Sequence, residues 1–276
     1  MSFVLDEPRA GMDADAVAAF RRDGVVCLRG LLDADAVERL RDAVAWAMRN
    51  PSPFAQEFLP SDARGRYFSD LHNFRRSPAY EALACDSALP EVAGRAMAAE
   101  TVRVLYDQTI VKEPGTQSPT PWHHDLPFWP VDGTQICSIW LALDEVTPES
   151  GGVQYARGSH LWGTRYRPTQ PDTPETRRMR NMDLQPAPNL SKDPDADVVT
   201  WNMAPGDALV FSALTLHGAG SNRASDRTRR AIVVRYVGDD ATFVTGPHAL
   251  AFPNPIPLRD GEPLAHADFP VVWRAA

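Results

Sequence analysis

The second half of the chain contains four strand-like segments, and they constrain the fold more than any other feature. They are rich in β-branched and aromatic residues: VRVLYDQTIVK (102–112), ICSIWLAL (136–143), DALVF (207–211) and RAIVVRYV (230–237). Turn signals built from Pro, Gly and Asp separate them, which predicts strands joined by turns. The chain also has 25 prolines in 276 residues. Because proline interrupts helices and interior strands, this composition argues against a mostly helical protein.

The first hundred residues have a different pattern, which is mainly that of amphipathic helices. Asp13 and Asp33 stand where N-caps begin two helices, and Gly24 and Pro51 end those helices. A short strand, 25–28, lies between the two helices. Helices followed by runs of strands predict an all-β core with helical flanks, built as an antiparallel sandwich or barrel.

We predict one domain with four parts. These are a helical N-terminal part (1–100), a barrel (101–240), an insertion within the barrel (163–200) and a C-terminal wrap (241–276). The insertion is rich in proline and poor in large apolar residues, which is typical of a functional lid or of a solvated loop. Its arginines favour an anionic substrate if the insertion is a lid, and they are Arg165, Arg167, Arg177, Arg178 and Arg180.

Charge and composition exclude several classes of protein. The net charge of −8 and the pI near 5.4 argue against a nucleic-acid or membrane-surface binder. No apolar run approaches the roughly 18 residues of a membrane span, and the N-terminus lacks the apolar stretch of a signal peptide. Three widely spaced cysteines indicate no disulfide framework. We therefore predict a cytoplasmic protein, either a monomer or a homodimer.

One neighbourhood of the chain has metal-ligand spacing, and it is Trp122-His123-His124-Asp125. Residues i and i+2 of a strand share a face, so His123 and Asp125 can bind one metal while His124 points away. A further histidine, His217, ends a later strand-like segment. Two histidines and one carboxylate form the facial triad of non-haem Fe(II) oxygenases. The spacing alone is weak, because a strand histidine is often a hydrogen-bonded core residue.

The surroundings of these residues resemble a known family. The motifs that carry the resemblance are PWHHDLPFWPVDG (121–133), SIWLALDEVTPESGGVQYARGSHLWG (138–163) and NMAPGDALVFSALTLHGAGSNRASDRTRRAIVVRYVGDD (202–240). They are similar to the phytanoyl-CoA dioxygenase family of Fe(II)/2-oxoglutarate-dependent dioxygenases, in family order over most of residues 15–240. The resemblance implies a double-stranded β-helix, a jelly-roll or cupin-like barrel. It implies Fe(II) bound by His123, Asp125 and His217, with 2-oxoglutarate and O2 as co-substrates.

The resemblance also implies an arginine that binds the C5 carboxylate of 2-oxoglutarate. The family places it about a dozen residues after the second histidine, where this chain has Arg229. The intervening loop is one residue longer than the common family form, so Arg230 is the alternative. The two side chains lie on opposite faces of a strand. Both faces are apolar, and periodicity therefore does not identify the inner one.

Three further residues match family positions near 2-oxoglutarate or substrate: Gln108, Lys112 and Trp140. The alternatives are that Lys112 extends along the surface at a strand end and that Trp140 is a core aromatic residue. Some family members have a serine two residues after the second histidine, but this chain has Ala219. That contact must come from Ser221, Thr134 or water.

Two of the remaining histidines have specific expectations. His160 is expected to be a hydrogen-bonded structural residue, and the ring of His124 could contact substrate at the barrel mouth. Because Asp125 is present where related halogenases have Gly or Ala, the resemblance implies a hydroxylase. The expected reaction hydroxylates an unactivated C–H bond of a small molecule and releases succinate and CO2. The alternatives are a cupin-like isomerase or hydrolase without 2-oxoglutarate, and a non-catalytic small-molecule-binding relative.

Overall fold

The structure is a computed structural model that describes residues 2–3, 11–58, 64–167, 184–245 and 250–276. The α-helices of this part are α1 (Ala14–Asp23), α2 (Ala34–Arg49), α3 (Pro78–Glu81) and α4 (Leu89–Met97). Its strands are β1 (Ser2–Phe3), β2 (Val25–Leu28), β3 (Gln56–Phe58), β4 (Tyr67–Leu71), β5 (Thr101–Lys112), β6 (Thr120–His123), β7 (Val131–Asp132), β8 (Ile136–Ala142), β9 (Val153–Ala156), β10 (Val198–Thr200), β11 (Ala208–Ser212), β12 (His217–Ala219), β13 (Arg229–Val237), β14 (Thr242–Phe243) and β15 (Val271–Arg274).

The first two helices begin and end at the residues that the sequence predicts. The Asp13 carboxylate caps α1 by accepting from the N–H of Ala16 at 2.7 Å, and Gly24 ends it with φ 77°. The Asp33 carboxylate caps α2 in the same way, by accepting from the N–H of Ala36. A glycine at the end of α1 allows the left-handed backbone that turns the chain directly into β2.

Two facing sheets form the barrel. The large sheet has the order β2-β11-β8-β13-β5-β4-β3, with β15 also paired to β5, and the small sheet has the order β1-β10-β9-β12-β6. From β5 to β13 the chain passes repeatedly between the two sheets, and the core strands pair antiparallel. This topology is the double-stranded β-helix, and the predicted fold class is confirmed.

The large sheet is apolar on both faces because each face is covered. Ile232 and Val234 of β13 pack with the N-terminal helices in one core cluster. Ala231 and Val233 of the same strand belong to a second cluster, which lies between the two sheets. The odd-numbered residues of β13 therefore face the barrel interior. The periodicity of the sequence does not distinguish this inner face from the outer one, because both are apolar.

Much of the predicted lid lies outside the described residues. Residues 168–183, which include Arg177, Arg178 and Arg180, are not described, so the lid stays a prediction. Of the remaining predicted lid arginines, Arg165 forms an ion pair with Asp132 at 2.6 Å, in which both side chains are substantially exposed.

The segment predicted as a C-terminal wrap contributes strands of its own. β14 pairs with β7, and β15 pairs with β5 at the edge of the large sheet. Leu264 and Phe269 are buried in a third core cluster beside the barrel. None of the three cysteines, all of which lie in the described part of the chain, forms a disulfide. Within the described residues, no helix has the length and apolar character needed to cross a membrane.

Candidate metal centre

Two histidines face each other across neighbouring strands of the small sheet. His123 at the end of β6 and His217 at the start of β12 are direct partners in the antiparallel register. Their ring centroids lie 4.2 Å apart. Register between β6 and β12 thus brings together two residues that are far apart in the sequence.

The third group, Asp125, reaches the same point from just beyond the end of β6. Its backbone is helical (φ −72°, ψ −37°), and it caps a 3-10 helix at Leu126–Phe128. The strand alternation that predicts a common face for His123 and Asp125 is therefore wrong as a description of the backbone. The predicted convergence nevertheless occurs, because Asp125 Oδ1 lies 3.6 Å from His123 Nε2 and 3.8 Å from His217 Nε2.

The three side chains present one ligand atom each to a common point, and these atoms all lie within 4.8 Å of one another. Nδ1 of His123 donates to the carbonyl of Pro121 at 2.8 Å, and Nδ1 of His217 donates to the carbonyl of Thr215 at 2.9 Å. These bonds leave the Nε2 lone pairs free to bind a metal. The other oxygen of Asp125 accepts from Ser138 Oγ at 3.0 Å, so one carboxylate oxygen faces the centre.

The protonation states also suit a divalent metal. Burial and then the neighbouring His123 lower the pKa of His217 to about 3. The imidazole is therefore neutral at pH 7. Burial alone would raise the pKa of Asp125, but Arg235 and the two histidines outweigh burial and hold that pKa below its usual range. A neutral imidazole and an ionised carboxylate are the forms that bind metal.

His124 lies on the opposite side of the chain, as strand alternation predicts. It is buried, and its Nε2 accepts from the backbone N–H of Tyr166 at 2.8 Å. Among the described residues it neither joins the metal cluster nor lines the adjoining cavity. The idea that its ring contacts substrate therefore has no support from this geometry.

A cavity of about 450 Å³ opens beside the three ligands. Residues from both sheets line it, and one wall is aromatic, formed by Tyr106, Phe128 and Trp129. Arg229 also lines the cavity and is buried, with only 1% of its surface exposed. Arg230 faces the other side of the sheet and binds both carboxylate oxygens of Asp144 at 2.7 and 2.8 Å. Of the two alternative arginines, only Arg229 points into the barrel.

The guanidinium of Arg229 stands over Trp140, with 5.4 Å between its carbon and the ring centroid. Its Nε is buried and has no hydrogen-bond partner among the described residues. Burial lowers the pKa of Arg229 to about 10, which leaves the group charged at pH 7. A buried cation with an unsatisfied donor fits an anionic ligand.

Lys112 is the strand partner of Arg229 on β5, and its side chain is fully buried. Its Nζ donates to the carbonyl of Gly220 at 2.8 Å and to Thr120 Oγ1 at 3.2 Å. The alternative that Lys112 extends along the surface is therefore wrong. In the described part of the chain Lys112 lies beneath the cavity wall and does not line it. Burial, and then Arg229, lower its pKa well below 10.5.

The other two predicted residues line the cavity. Gln108 donates to Ser69 Oγ at 2.8 Å and accepts from Arg235 Nη2 at 2.8 Å. Trp140 is 4% exposed and forms the surface beneath the guanidinium of Arg229.

The polar cavity residues that sequence reasoning missed include Arg235 and Tyr155. The Tyr155 hydroxyl is buried without a described hydrogen-bond partner, and its ring stacks on His217. Once Arg229 is known to face inward, the sequence also predicts that Arg235 faces inward, because it lies six residues further along β13 and therefore on the same face. Tyr155 has no comparable signal in a short buried strand.

The remaining expectations about single residues have mixed outcomes. Thr134 donates to Asp240 at 2.6 Å and does not line the cavity, and neither does Ser221 among the described residues. Neither residue supplies the hydroxyl that Ala219 lacks. His160 Nε2 lies 3.1 Å from the carbonyl of Arg21, in agreement with its predicted structural role.

Comparisons with known proteins agree with this geometry. The phytanoyl-CoA dioxygenase (PhyH) family model matches residues 20–231. The multifunctional dioxygenase ausE of Penicillium brasilianum is 28% identical over 240 residues, which cover 83% of this chain and 73% of that protein. The ectoine dioxygenase of Sphingopyxis alaskensis is 24% identical over 225 residues, with coverage of 77% and 72%. The solved structure of SnoN, a non-haem α-ketoglutarate-dependent epimerase from nogalamycin biosynthesis, has a TM-score of 0.73 at 24% identity and covers 94% of this chain and 97% of its own. The chain therefore belongs to the phytanoyl-CoA dioxygenase family.

Proposed function

We propose that this protein is an Fe(II)- and 2-oxoglutarate-dependent dioxygenase that hydroxylates an unactivated C–H bond of a small molecule and releases succinate and CO2. The observation that carries the proposal is the convergence of His123, Asp125 and His217 beside a cavity lined by the buried cation of Arg229. Membership of a dioxygenase family supports the same reaction class.

The donor set fits iron. Two imidazole nitrogens and one carboxylate oxygen would bind one face of a metal and leave three positions open. The bond from Ser138 to Asp125 Oδ2 favours binding of the metal through Oδ1 alone, which keeps those positions available. When bound, iron together with 2-oxoglutarate and O2 supplies the oxidising power for breaking the C–H bond.

The barrel interior fits the C5 carboxylate of 2-oxoglutarate. Arg229 and Lys112 are opposite one another on β13 and β5, and after burial the repulsion between the guanidinium and the protonated amine is the second cause of the lowered pKa of Lys112. A carboxylate bound to Arg229 would offset this repulsion and satisfy the unpartnered Nε. We assign a second donor to the buried hydroxyl of Tyr155, which replaces the serine that this chain lacks at Ala219.

The rest of the cavity fits the substrate. Its aromatic wall, with Leu71 and Leu250 nearby, surrounds the bound substrate with apolar groups and excludes water from the metal centre. No general base is required, and the residues of the chain bind and orient the reactants. We propose that the protein acts in the cytoplasm, as a monomer or a homodimer.

Anaerobic reconstitution with Fe(II) tests the proposal. We expect about one iron per chain, and a visible charge-transfer band when 2-oxoglutarate is added. Exposure to O2 with a panel of small molecules should then give succinate in proportion to a product heavier by one oxygen atom. The matched control is His123→Ala, which should give neither iron nor the band.

Two outcomes would contradict the proposal. Iron-loaded protein that binds no 2-oxoglutarate would favour a cupin-like isomerase or hydrolase. A product lighter by two hydrogens, or one of unchanged mass, would retain the cofactors but exclude hydroxylation.

A further inference from the structure

We propose that Arg235 and Gln108 form a second anion subsite, which binds a carboxylate of the substrate beside the metal centre. This inference rests on the proposed function, since it names the class of small molecule that the dioxygenase accepts: one carboxylate on a largely apolar body.

Arg235 is a buried cation with unused hydrogen-bonding capacity. It lines the cavity with 5% of its surface exposed, and both Nε and Nη1 are buried with no hydrogen-bond partner among the described residues. Nη2 donates to Gln108 Oε1 at 2.8 Å. Buried donors of a charged group are costly to leave unsatisfied, so a cavity that presents them fits a ligand that accepts.

The guanidinium is held in place before any ligand arrives. Its carbon lies 4.5 Å from the ring centroid of Tyr106 and 5.6 Å from that of Trp129. These rings are fixed to each other by a 2.7 Å bond from Trp129 Nε1 to the Tyr106 hydroxyl. Gln108 is itself anchored by Ser69. Such preorganisation lowers the entropic cost of binding, which is typical of a recognition site.

The charges near the metal leave room for one further anion. Among the described residues, the carboxylate that pairs with Arg235 is Asp125, at 3.8 Å from Nε to Oδ2, and Asp125 is also the carboxylate of the metal cluster. Consider the centre with a divalent metal and a 2-oxoglutarate dianion bound. The positive charge of the metal, Arg229 and Arg235 then exceeds the negative charge of Asp125 and the dianion. One positive charge remains, and a substrate carboxylate would balance it.

This subsite is distinct from the position proposed for 2-oxoglutarate. Arg229 and Arg235 are six residues apart on the same face of β13, which is roughly 20 Å along a strand that rises about 3.3 Å per residue. A dicarboxylate held at Arg229 would therefore have its C5 carboxylate far from Arg235, with its other end at the metal centre. Leu71, Phe128 and Leu250 line the same cavity, and they fit an apolar body attached to the carboxylate.

The test compares two matched probes, adamantane-1-carboxylate and adamantane-1-carboxamide. They share an apolar body and differ in charge. Each is titrated calorimetrically into the iron-loaded protein without O2, with and without 2-oxoglutarate. Wild-type protein should bind the carboxylate about 10- to 100-fold more tightly than the amide, the ratio expected for one charge-assisted hydrogen bond.

Three variants locate the source of this preference. Arg235→Gln should reduce the ratio to within about three-fold of unity, and Arg235→Lys should keep part of it, because lysine retains the charge but loses the planar fork. Arg230→Gln is the matched control on the outer face of β13, and it should keep the wild-type ratio.

Each remaining outcome overturns a defined claim. A wild-type ratio near unity, or no binding of the carboxylate, removes the subsite. An Arg235→Gln variant whose affinity for 2-oxoglutarate falls tenfold or more places Arg235 in the co-substrate site instead. If wild-type protein binds no 2-oxoglutarate, the proposed function fails, while the carboxylate-to-amide ratio measured without 2-oxoglutarate still decides the subsite.

Discussion

Replacing Arg229 with alanine should weaken 2-oxoglutarate binding by about 10- to 100-fold and leave iron bound. The guanidinium is buried inside the barrel, it carries an unsatisfied Nε, and no described acidic side chain bonds to it. A charge-assisted hydrogen bond in such a place is worth about 1.5–3 kcal/mol, which is one to two decades of affinity.

Arg230→Ala is the control because it changes the neighbouring residue on the opposite face. Arg230 pairs with Asp144 outside the barrel, where its side chain is 30% exposed. Removing a partly exposed pair should cost about 1 kcal/mol or less of folding free energy and change the 2-oxoglutarate Kd by less than about two-fold. Arg229→Lys should recover only part of the binding, since lysine lacks the planar fork.

The assay is an anaerobic titration of Fe(II)-loaded protein with 2-oxoglutarate, followed by the charge-transfer band. Iron stoichiometry is measured on the same samples. Weak binding in Arg230→Ala together with normal binding in Arg229→Ala would refute the reasoning. It would mean that the face of β13 assigned to the interior is not the one that meets the co-substrate.

Three further predictions use other residues of the site. His123→Ala should reduce bound iron to near zero, whereas His124→Ala should keep it. Metal analysis after reconstitution checks this, and iron lost in His124→Ala but kept in His123→Ala would contradict the assignment. Tyr155→Phe should weaken 2-oxoglutarate binding by about 2- to 12-fold, the value of one neutral hydrogen bond of 0.5–1.5 kcal/mol, and unchanged affinity would remove Tyr155 from the site. Burial lowers the pKa of Lys112 well below 10.5. Between the native pKa and 10.5 the unfolded chain therefore binds a proton that the native protein does not, and the free energy of unfolding rises with pH. Lys112→Met should show a smaller rise in unfolding free energy as the pH increases toward 10.5 in urea titrations, and an unchanged rise would mean that native Lys112 is protonated.

The fold was predictable because its signals are local. β-branched segments bounded by turns mark β5, β8, β11 and β13 to within about a residue of their observed ends. Register is not a local property. The pairing of His123 with His217 depends on how β6 and β12 align, and the sequence identifies the two histidines only through spacing and family resemblance.

The inner face of β13 shows why the arginines could not be separated in advance. Alternation of apolar and polar residues identifies the buried face of a strand only when the other face is exposed to solvent. Here helices cover one side of the large sheet and the small sheet covers the other, so both sets of residues are apolar. The pairing of Arg230 with Asp144 depends on a tertiary contact, and only the structure provides it.

The same geometry changes where anion recognition is expected. The sequence draws attention to the arginine-rich insertion, yet one of its described arginines, Arg165, pairs with an exposed carboxylate. Arg229 and Arg235, by contrast, lie inside the barrel of a chain whose net charge is −8. An acidic surface does not attract anions over long range, whereas a buried guanidinium in a preorganised site acts at contact distance, where solvent and salt screen it least. Selectivity for carboxylates in this protein should therefore depend weakly on ionic strength, and strongly on the two arginines that share the inner face of β13.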